Sequence, residues 1–143
     1  MDQAEKDKLL IKKEALLTKK RLIDAIDLLR EKGPSGNKVF NTNCFYLTDA
    51  TKIHHWPHFK NLLDSFSAAG VASFKFDDYG TIRWGDMSAT IELTEKFDEY
   101  AYAVRSEFYS IDKLLKTDEG QADIIKNERK RYIKIDLEQR SCS

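Results

Sequence analysis

The chain has 143 residues with 24 basic and 24 acidic side chains, so its formal net charge at pH 7 is zero. This length suits a single domain, residues 1–143, whose hydrophobic core needs no disulfide support. No run of about 18 apolar residues is present, and the charged start, MDQAEKDKLL, lacks the apolar stretch of a secretory signal, so neither a membrane span nor a leader is expected. The balanced charge also removes the simplest argument for nucleic-acid binding, a basic domain.

The two cysteines, Cys44 and Cys142, do not form a disulfide framework. A bridge between them would close a long loop onto the last residues of the chain. Free thiols are typical of a reducing compartment, so the sequence favours a cytoplasmic protein.

Residues 1–33 predict one long N-terminal helix. Asp2 followed by Glu5 is a capping pattern, and no glycine or proline interrupts the chain before Lys32. Gly33 then serves as a left-handed cap, and Pro34 prevents continuation. Alternating spacings of four and three residues predict the buried face, formed by Ile11, Ala15, Thr18, Leu22, Ala25 and Leu29 and widened by Leu10, Leu17 and Ile26.

Residues 38–94 predict an α/β core. The stretch 39–47 is a candidate strand, and Pro57 suits the first turn of a helix over 57–69. After Gly70 the hydrophobic period changes from 3.6 to 2, which predicts a three-stranded antiparallel meander, with 39–47 as a possible fourth strand. The predicted buried faces are Phe59, Leu62, Leu63, Phe66 and Ala69 on the helix, and Phe74 and Phe76, Ile82 and Trp84, and Ala89, Ile91 and Leu93 on the strands.

Residues 95–139 predict a C-terminal helical region. Thr94 is a suitable N-cap, and a break is expected near 117–120, where Asp118 and Gln121 form a second capping pattern. Residues 132–137 alternate like a strand, but helix is favoured there. The clearest periodic signal in the chain marks the buried face, Phe97, Ala101, Val104, Phe108, Ile111 and Leu115, while Tyr100, Tyr102 and Tyr109 broaden it and suggest cover on more than one side.

The N-terminal helix is long for its domain. About 31 helical residues span about 46 Å, whereas a compact domain of this size is about 40 Å across. Heptad spacing in both terminal helices favours coiled-coil-like pairing, either within one chain or between two chains of a homodimer. The fold class is therefore α+β, with a central helix and the long terminal helices covering the antiparallel sheet.

The densest cluster of chemically versatile side chains is His54-His55-Trp56-Pro57-His58. His54 and His58 have the spacing of paired helical metal ligands, and Asp49 or Cys44 could be a third ligand. Pro57, however, argues against a continuous helix across the pair. The alternative is a helix entry at which the histidines are hydrated, and no metal or other cofactor is expected.

Catalytic motifs are missing elsewhere in the sequence. Cys44 has no adjacent base, and there is no G-x-S-x-G, Walker or G-x-G-x-x-G pattern. Asp77, Asp78 and Asp86 fall in expected hairpin turns, where aspartate is ordinary. The sequence therefore favours a protein that is not an enzyme, with a metal-dependent enzyme at the histidine cluster as a distant alternative.

Two basic clusters keep nucleic-acid binding open as an alternative. They are Lys12, Lys13, Lys19, Lys20 and Arg21 in the N-terminal helix, and Arg129, Lys130 and Arg131 in the C-terminal region. Acidic residues are interleaved with both, as is typical of solvated helix faces. A winged-helix arrangement is disfavoured because the hairpin tip is acidic.

By elimination, the leading hypothesis is a small non-enzymatic protein-binding module that acts as an inhibitor, adaptor or assembly subunit. Inhibitors carried by mobile elements and toxin-immunity proteins share this profile by analogy only. Aromatic side chains dominate many binding surfaces, and the candidates are Trp56 before the central helix and Tyr79 at the hairpin tip. The partner is expected to be another protein.

Overall fold

The computed structural model describes residues 2–34, 36–77 and 87–138, with side chains as far as residue 117. In these described residues, four helices flank a three-stranded antiparallel sheet, which confirms the predicted α+β class. No helix in this described part is both long and apolar enough to cross a membrane. In chain order the elements are α1 (Gln3–Lys32), β1 (Val39–Asn43), α2 (Cys44–Thr51), α3 (Trp56–Ala68), β2 (Ala72–Asp77), β3 (Ser88–Leu93) and α4 (Phe97–Glu138).

Helix α1 begins and ends where its sequence predicts. The Glu5 backbone N–H donates to the Asp2 carboxylate at 2.8 Å, which satisfies one of the otherwise unpaired amides of the first turn. The helix stops before Gly33, but the expectation of a left-handed glycine there is wrong. Gly33 has φ −101° and ψ 176°, so the chain leaves the helix in an extended conformation that leads directly into Pro34.

The buried face of α1 differs from the predicted one. Ile11 is 73% exposed and Ala15 is also exposed, whereas Leu16 and Ile23 are buried. The apolar residues of α1 are dense enough to form two overlapping stripes, and packing against α4 and α2 selects between them. The buried residues are Leu16, Leu22, Ile23, Ala25 and Ile26.

The sheet has the strand order β1-β3-β2, so the last strand in sequence lies at its centre. Phe40 lies opposite Ile91, and Phe74 lies opposite Ile91 from the other side. These residues face the helices, whereas the opposite sheet face is polar, with Asn41 accepting a hydrogen bond from Thr90 at 3.0 Å. The predicted strand containing Ile82 and Trp84 lies outside the described residues.

The predicted strand over 39–47 is too long. It ends at Asn43, whose side chain accepts a hydrogen bond from the Tyr46 backbone N–H at 2.8 Å and so caps helix α2. Cys44 and Leu47 of α2 are buried, and the Tyr46 hydroxyl donates to the Ala25 carbonyl oxygen of α1 at 3.3 Å. The asparagine that interrupts the apolar stretch is thus the point at which strand becomes helix.

Helix α3 covers the inner sheet face largely as predicted. Phe59 and Phe66 are fully buried, and the Phe66 ring lies 6.4 Å from the Phe74 ring of β2. Ala69, expected to be buried, is exposed because the helix ends at Ala68. Gly70 follows with φ +71°, a conformation that favours glycine and turns the chain into β2.

Helix α4 is continuous over 42 residues, so the break predicted at 117–120 is wrong. One glycine inside a helix costs about 1 kcal/mol, which the rest of a long helix can absorb. Residues 132–137 are helical, as favoured. All six residues of the predicted buried face, Phe97 to Leu115, are buried, but Tyr102 and Tyr109 are exposed, so the expected cover over them is absent from the described structure.

Candidate protein-binding surface on the α1–α4 pair

Helices α1 and α4 pack against each other in one chain, and their direction is antiparallel. Arg30 near the end of α1 pairs with Asp98 at the start of α4, at 2.6 Å, whereas Lys13 pairs with Asp112, at 2.7 Å. Lys12 adds a pair with Glu107 at 2.5 Å. The pairing that the heptad spacing suggests is thus satisfied within a single molecule.

One flank of this helix pair carries five apolar or aromatic side chains, of which four are exposed in the described structure and one is packed partly against the core. Leu10, Leu28, Tyr102 and Tyr109 are exposed, and Leu17 is only partly buried. Leu10 and Leu17 are seven residues apart, as are Tyr102 and Tyr109, so each pair lies on one helix face. We call these five residues the outer groove.

A central ion network lies in the floor of the outer groove and fixes which faces of the helices line it. The Arg105 guanidinium donates to Asp24 at 2.8 Å and to Asp27 at 2.5 Å, and the Lys20 ammonium pairs with Asp24 at 2.8 Å. Lys20 also lies 5.6 Å from the Tyr109 ring centroid. The network consists of Lys20, Asp24, Asp27 and Arg105, and its formal charge sums to zero.

The network holds Lys20 and Asp24 in their charged forms. The hydrogen bond to Asp24 raises the pKa of Lys20, against the lowering effect of partial burial. Partial burial alone would raise the pKa of Asp24, but hydrogen bonds from Lys20 and Arg105 outweigh it and hold that pKa below its usual value. The pKa values of Lys20 and Asp24 are thus both moved away from neutrality, whereas a general acid or base that exchanges protons near neutral pH needs a pKa close to that pH.

The two ends of the outer groove differ in charge. At the Leu10 end, Asp112 binds Lys13 at 2.7 Å and Lys116 at 2.9 Å, and these hydrogen bonds lower the pKa of Asp112, Lys13 first. Lys113 is also exposed there. At the Leu28 end, Asp98 pairs with Arg30, and the hydrogen bond from Arg30 lowers the pKa of Asp98. Among the ion pairs of the described side chains, lysines outnumber carboxylates at the first end, whereas opposite charges balance at the second.

Trp56, the first candidate binding residue from the sequence, is partly buried and packs against the core. Its ring lies 5.6 Å from the Phe76 ring and 6.1 Å from the Phe59 ring, and the side chain is only partly exposed. These contacts match its alternative interpretation as packing at a helix entry. Tyr79, the second candidate from the sequence, lies outside the described residues.

The three histidines are exposed and lie at the start of α3, without a common metal geometry. His54 precedes the helix, which begins at Trp56, so the spacing between His54 and His58 does not lie on one helix. The His55 and His58 rings approach edge to face with centroids 4.6 Å apart. Among the described side chains, no three His, Cys, Asp or Glu residues come close enough to share a metal ion.

Asp49 and Cys44, the suggested third ligands, are used elsewhere. Asp49 lies 3.8 Å from Lys52 in an exposed pair, and Cys44 is fully buried at the start of α2. Burial raises the pKa of the Cys44 thiol to about 11, which keeps it protonated and a poor nucleophile.

The basic cluster of α1 is largely neutralised within the fold. Lys12, Lys13 and Lys20 each form an ion pair with an aspartate or glutamate, while Lys19 and Arg21 are partly exposed. The second cluster, Arg129, Lys130 and Arg131, begins 17 residues beyond Asp112 on the continuous helix α4, or about 26 Å along its axis. Helix pairing therefore leaves the two clusters apart.

Sequence reasoning identified Tyr102 and Tyr109 as part of a broad helix face but missed their exposure. Both lie on the side of α4 that also carries Arg105. The charged residues of α1 opposite that side were the signal in the sequence that could have predicted this exposure. An apolar stripe facing paired charges borders solvent more often than it borders a core. The outer groove is thus a surface that the described part of the fold leaves exposed.

The chemistry of the outer groove suits adhesion rather than bond making. Tyrosine and leucine supply contact area, and paired charges supply orientation, but no activated nucleophile or proton-transfer pair is among the side chains that line it. In comparisons with known proteins, no family model, no curated protein and no solved structure matches this chain.

Proposed function

We propose that the chain is a non-enzymatic protein-binding module that acts as an inhibitor, adaptor or assembly subunit in a reducing cytosol. The outer groove is its binding surface. One observation carries the proposal: Tyr102 is 75% exposed and Tyr109 is 54% exposed on one face of α4, beside the leucines of α1. Tyrosines exposed together in this way are typical of binding surfaces, where they contribute large contact areas at little cost in conformational entropy.

Two further features support protein over nucleic acid as the partner. The net charge of the chain is zero, and three of the five lysine and arginine side chains in the α1 cluster are paired with carboxylates. Phosphate binding would have to displace those carboxylates, because each backbone contact needs a cation that is free to release counterions.

The experiment is affinity capture with the tagged chain from a lysate of its source organism, split into nuclease-treated and untreated halves. The test variant is Tyr102→Ser with Tyr109→Ser, and the matched control is Phe45→Ser, which removes a similarly exposed aromatic ring from α2. We expect the original chain and the control to retain one protein near one-to-one in both halves. The tyrosine variant should retain at least tenfold less.

Two results would contradict the proposal. Equal retention by the tyrosine variant would remove the outer groove as the surface. Material that appears only in the untreated half would indicate nucleic acid, and Lys19→Glu with Arg21→Glu would then be the variant that abolishes it. Circular dichroism and thermal melting of each variant establish beforehand that the fold is retained.

A further inference from the structure

We infer that the outer groove receives a single amphipathic α-helix from another protein. The partner helix is about 18 residues long, apolar at both ends, polar in the middle and acidic at the Leu10 end. This inference rests on the proposed function and specifies the partner of the same surface. The shape of the groove supports a helix, the order of its polar and apolar groups supports the pattern of that helix, and its charge supports the direction.

Shape favours a helix. Leu10 and Leu28 are 18 residues apart on α1, so the outer groove is about 27 Å long. Two packed helices leave between them a groove that a third helix of about 10 Å diameter can enter, ridge into groove. An extended peptide has no ridge of that width, and the groove presents no strand edge that could pair with its backbone.

The order of side chains along the groove defines the pattern of the partner. Leu10, Leu17 and Tyr109 lie towards one end, and Leu28 and Tyr102 lie towards the other. The central ion network lies between them. Because Asp24 is partly exposed in this network, a partner with an apolar residue at that point would desolvate charges without replacing their water contacts. A polar residue in the middle of the partner avoids this cost.

Charge fixes the direction of the partner. At the Leu10 end Lys13 and Lys116 both pair with one carboxylate, Asp112, and Lys113 is exposed on the same turn of α4, which leaves an excess of two positive charges among these four groups. Acidic residues on the partner helix would lie opposite these lysines. A helix placed in reverse would bring them to the Leu28 end instead, where Asp98 is already paired with Arg30 and the charges that meet the partner are balanced.

A second copy of the chain is the less favourable occupant. Two outer grooves facing each other would bury two copies of the central ion network, and each network would lose water without gaining a new partner of opposite charge. Two concave surfaces also leave a gap where the ridge of a single helix would fit. Self-association is therefore an outcome that the experiment must be able to detect.

The test is site-specific photo-crosslinking with the full-length chain in cells of its source organism. Benzoylphenylalanine replaces Leu10 in one variant, Leu28 in a second and Phe45 in a third, which serves as the control outside the groove. We expect the Leu10 and Leu28 variants to crosslink to one segment of one protein, at positions about 15 to 21 residues apart. Its sequence should have helical apolar spacing and acidic residues nearest the Leu10 adduct.

A peptide of the crosslinked segment then tests the charge argument. We expect Lys113→Glu with Lys116→Glu to weaken its binding at least tenfold, whereas Lys60→Glu with Lys96→Glu, two exposed lysines outside the groove, should change it less than twofold. Binding should raise the helicity of the peptide in circular dichroism. A peptide that binds without becoming helical overturns the inference. So does a peptide whose affinity is unchanged by Lys113→Glu with Lys116→Glu.

The remaining outcomes separate this inference from the proposed function. Adducts to a second copy of the chain, to a segment without helical spacing, or to nothing at all overturn the inference. If capture still retains a protein near one-to-one, the proposed function survives such a result. If capture retains no protein, both fail.

Discussion

Asp24 shows how individual residues join the two long helices. Its carboxylate accepts hydrogen bonds from Lys20 of its own helix and from Arg105 of α4, each at 2.8 Å. Asp112 and Asp98 are held in the same manner by lysines and by an arginine. Each carboxylate is more acidic in the folded chain than in the unfolded chain, so each links stability to pH.

Acid should therefore weaken the fold. The pKa values of Asp24, Asp98 and Asp112 lie below their usual value, so their contribution is complete above that value and is lost as pH falls through the folded pKa. We expect the free energy of unfolding to fall between about pH 5 and pH 2. Urea denaturation across this range measures it. Asp24→Asn should reduce the dependence of the free energy of unfolding on pH, whereas Asp64→Asn, an exposed control on α3, should not. A free energy of unfolding that does not fall over this pH range would contradict the ion-pair geometry.

Cys44 is a residue whose reactivity the fold suppresses. It is fully buried, and burial raises the pKa of its thiol to about 11. In a Cys142→Ser background, we expect no reaction with Ellman's reagent at pH 8 under native conditions and complete reaction in urea. Rapid labelling of the native chain would show that α2 does not shield the thiol.

At the scale of elements, the sequence predicted best where its pattern was unambiguous. Phe97, Val104 and Phe108 of α4 belong to one clean stripe, and all are buried. In α1, leucine and isoleucine occur side by side, as at Leu22 and Ile23. The hydrophobic period alone therefore could not determine which face of the helix is buried. Packing against α4, some 70 residues away in sequence, and against α2 makes that choice. The exposure of Tyr102 and Tyr109 depends on tertiary packing in the same way, and the charged residues of α1 were the one signal for it in the sequence.

Two isoleucines in α1 test which face of the helix is buried. Ile23 is fully buried, so Ile23→Ala should lower the free energy of unfolding by about 2–4 kcal/mol through lost apolar burial and a cavity. Ile11 is 73% exposed, so Ile11→Ala should change it by less than about 0.5 kcal/mol. Chemical denaturation of both variants gives the comparison. A larger loss for Ile11→Ala would support the buried face predicted from periodicity, and equal losses would contradict the observed one.

Gly120 tests the continuity of α4. Inside a helix, Gly120→Ala should raise the free energy of unfolding by about 0.5–1 kcal/mol, because alanine restricts the unfolded chain and favours helical dihedrals. At a helix end with a left-handed glycine, the same change would destabilise the protein. Urea denaturation and far-ultraviolet circular dichroism distinguish the two, and a loss of stability would restore the predicted break.

At the scale of the whole molecule, the core is concentrated near one half of α1. Leu22, Ile23 and Ile26 are fully buried, whereas residues 2–5, 7 and 8 are exposed. Ion pairs such as Lys12–Glu107 hold the outer turns, and exposed pairs of this kind contribute little to stability. The helix is thus anchored at one end and loosely held at the other.

Amide hydrogen exchange should show this asymmetry. We expect the slowest exchange in α1 at residues 22–26 and protection that falls steadily towards Gln3, because the outer turns can open without disturbing the core. Mass spectrometry of overlapping peptides or NMR measures the gradient. Uniform protection along α1 would contradict it, unless size-exclusion chromatography showed that the chain self-associates.

The strand order has a consequence for how the chain is made. Strand β1 pairs with β3 and not with β2. Arg30 cannot form its ion pair until Asp98, 68 residues later, has been synthesised. During synthesis, α1 emerges from the ribosome long before the helix that covers its buried face, and non-local pairing of this kind slows folding. A nascent chain stalled before Phe97 leaves Leu22, Ile23 and Ile26 without α4, so the early chain is the form most in need of a chaperone.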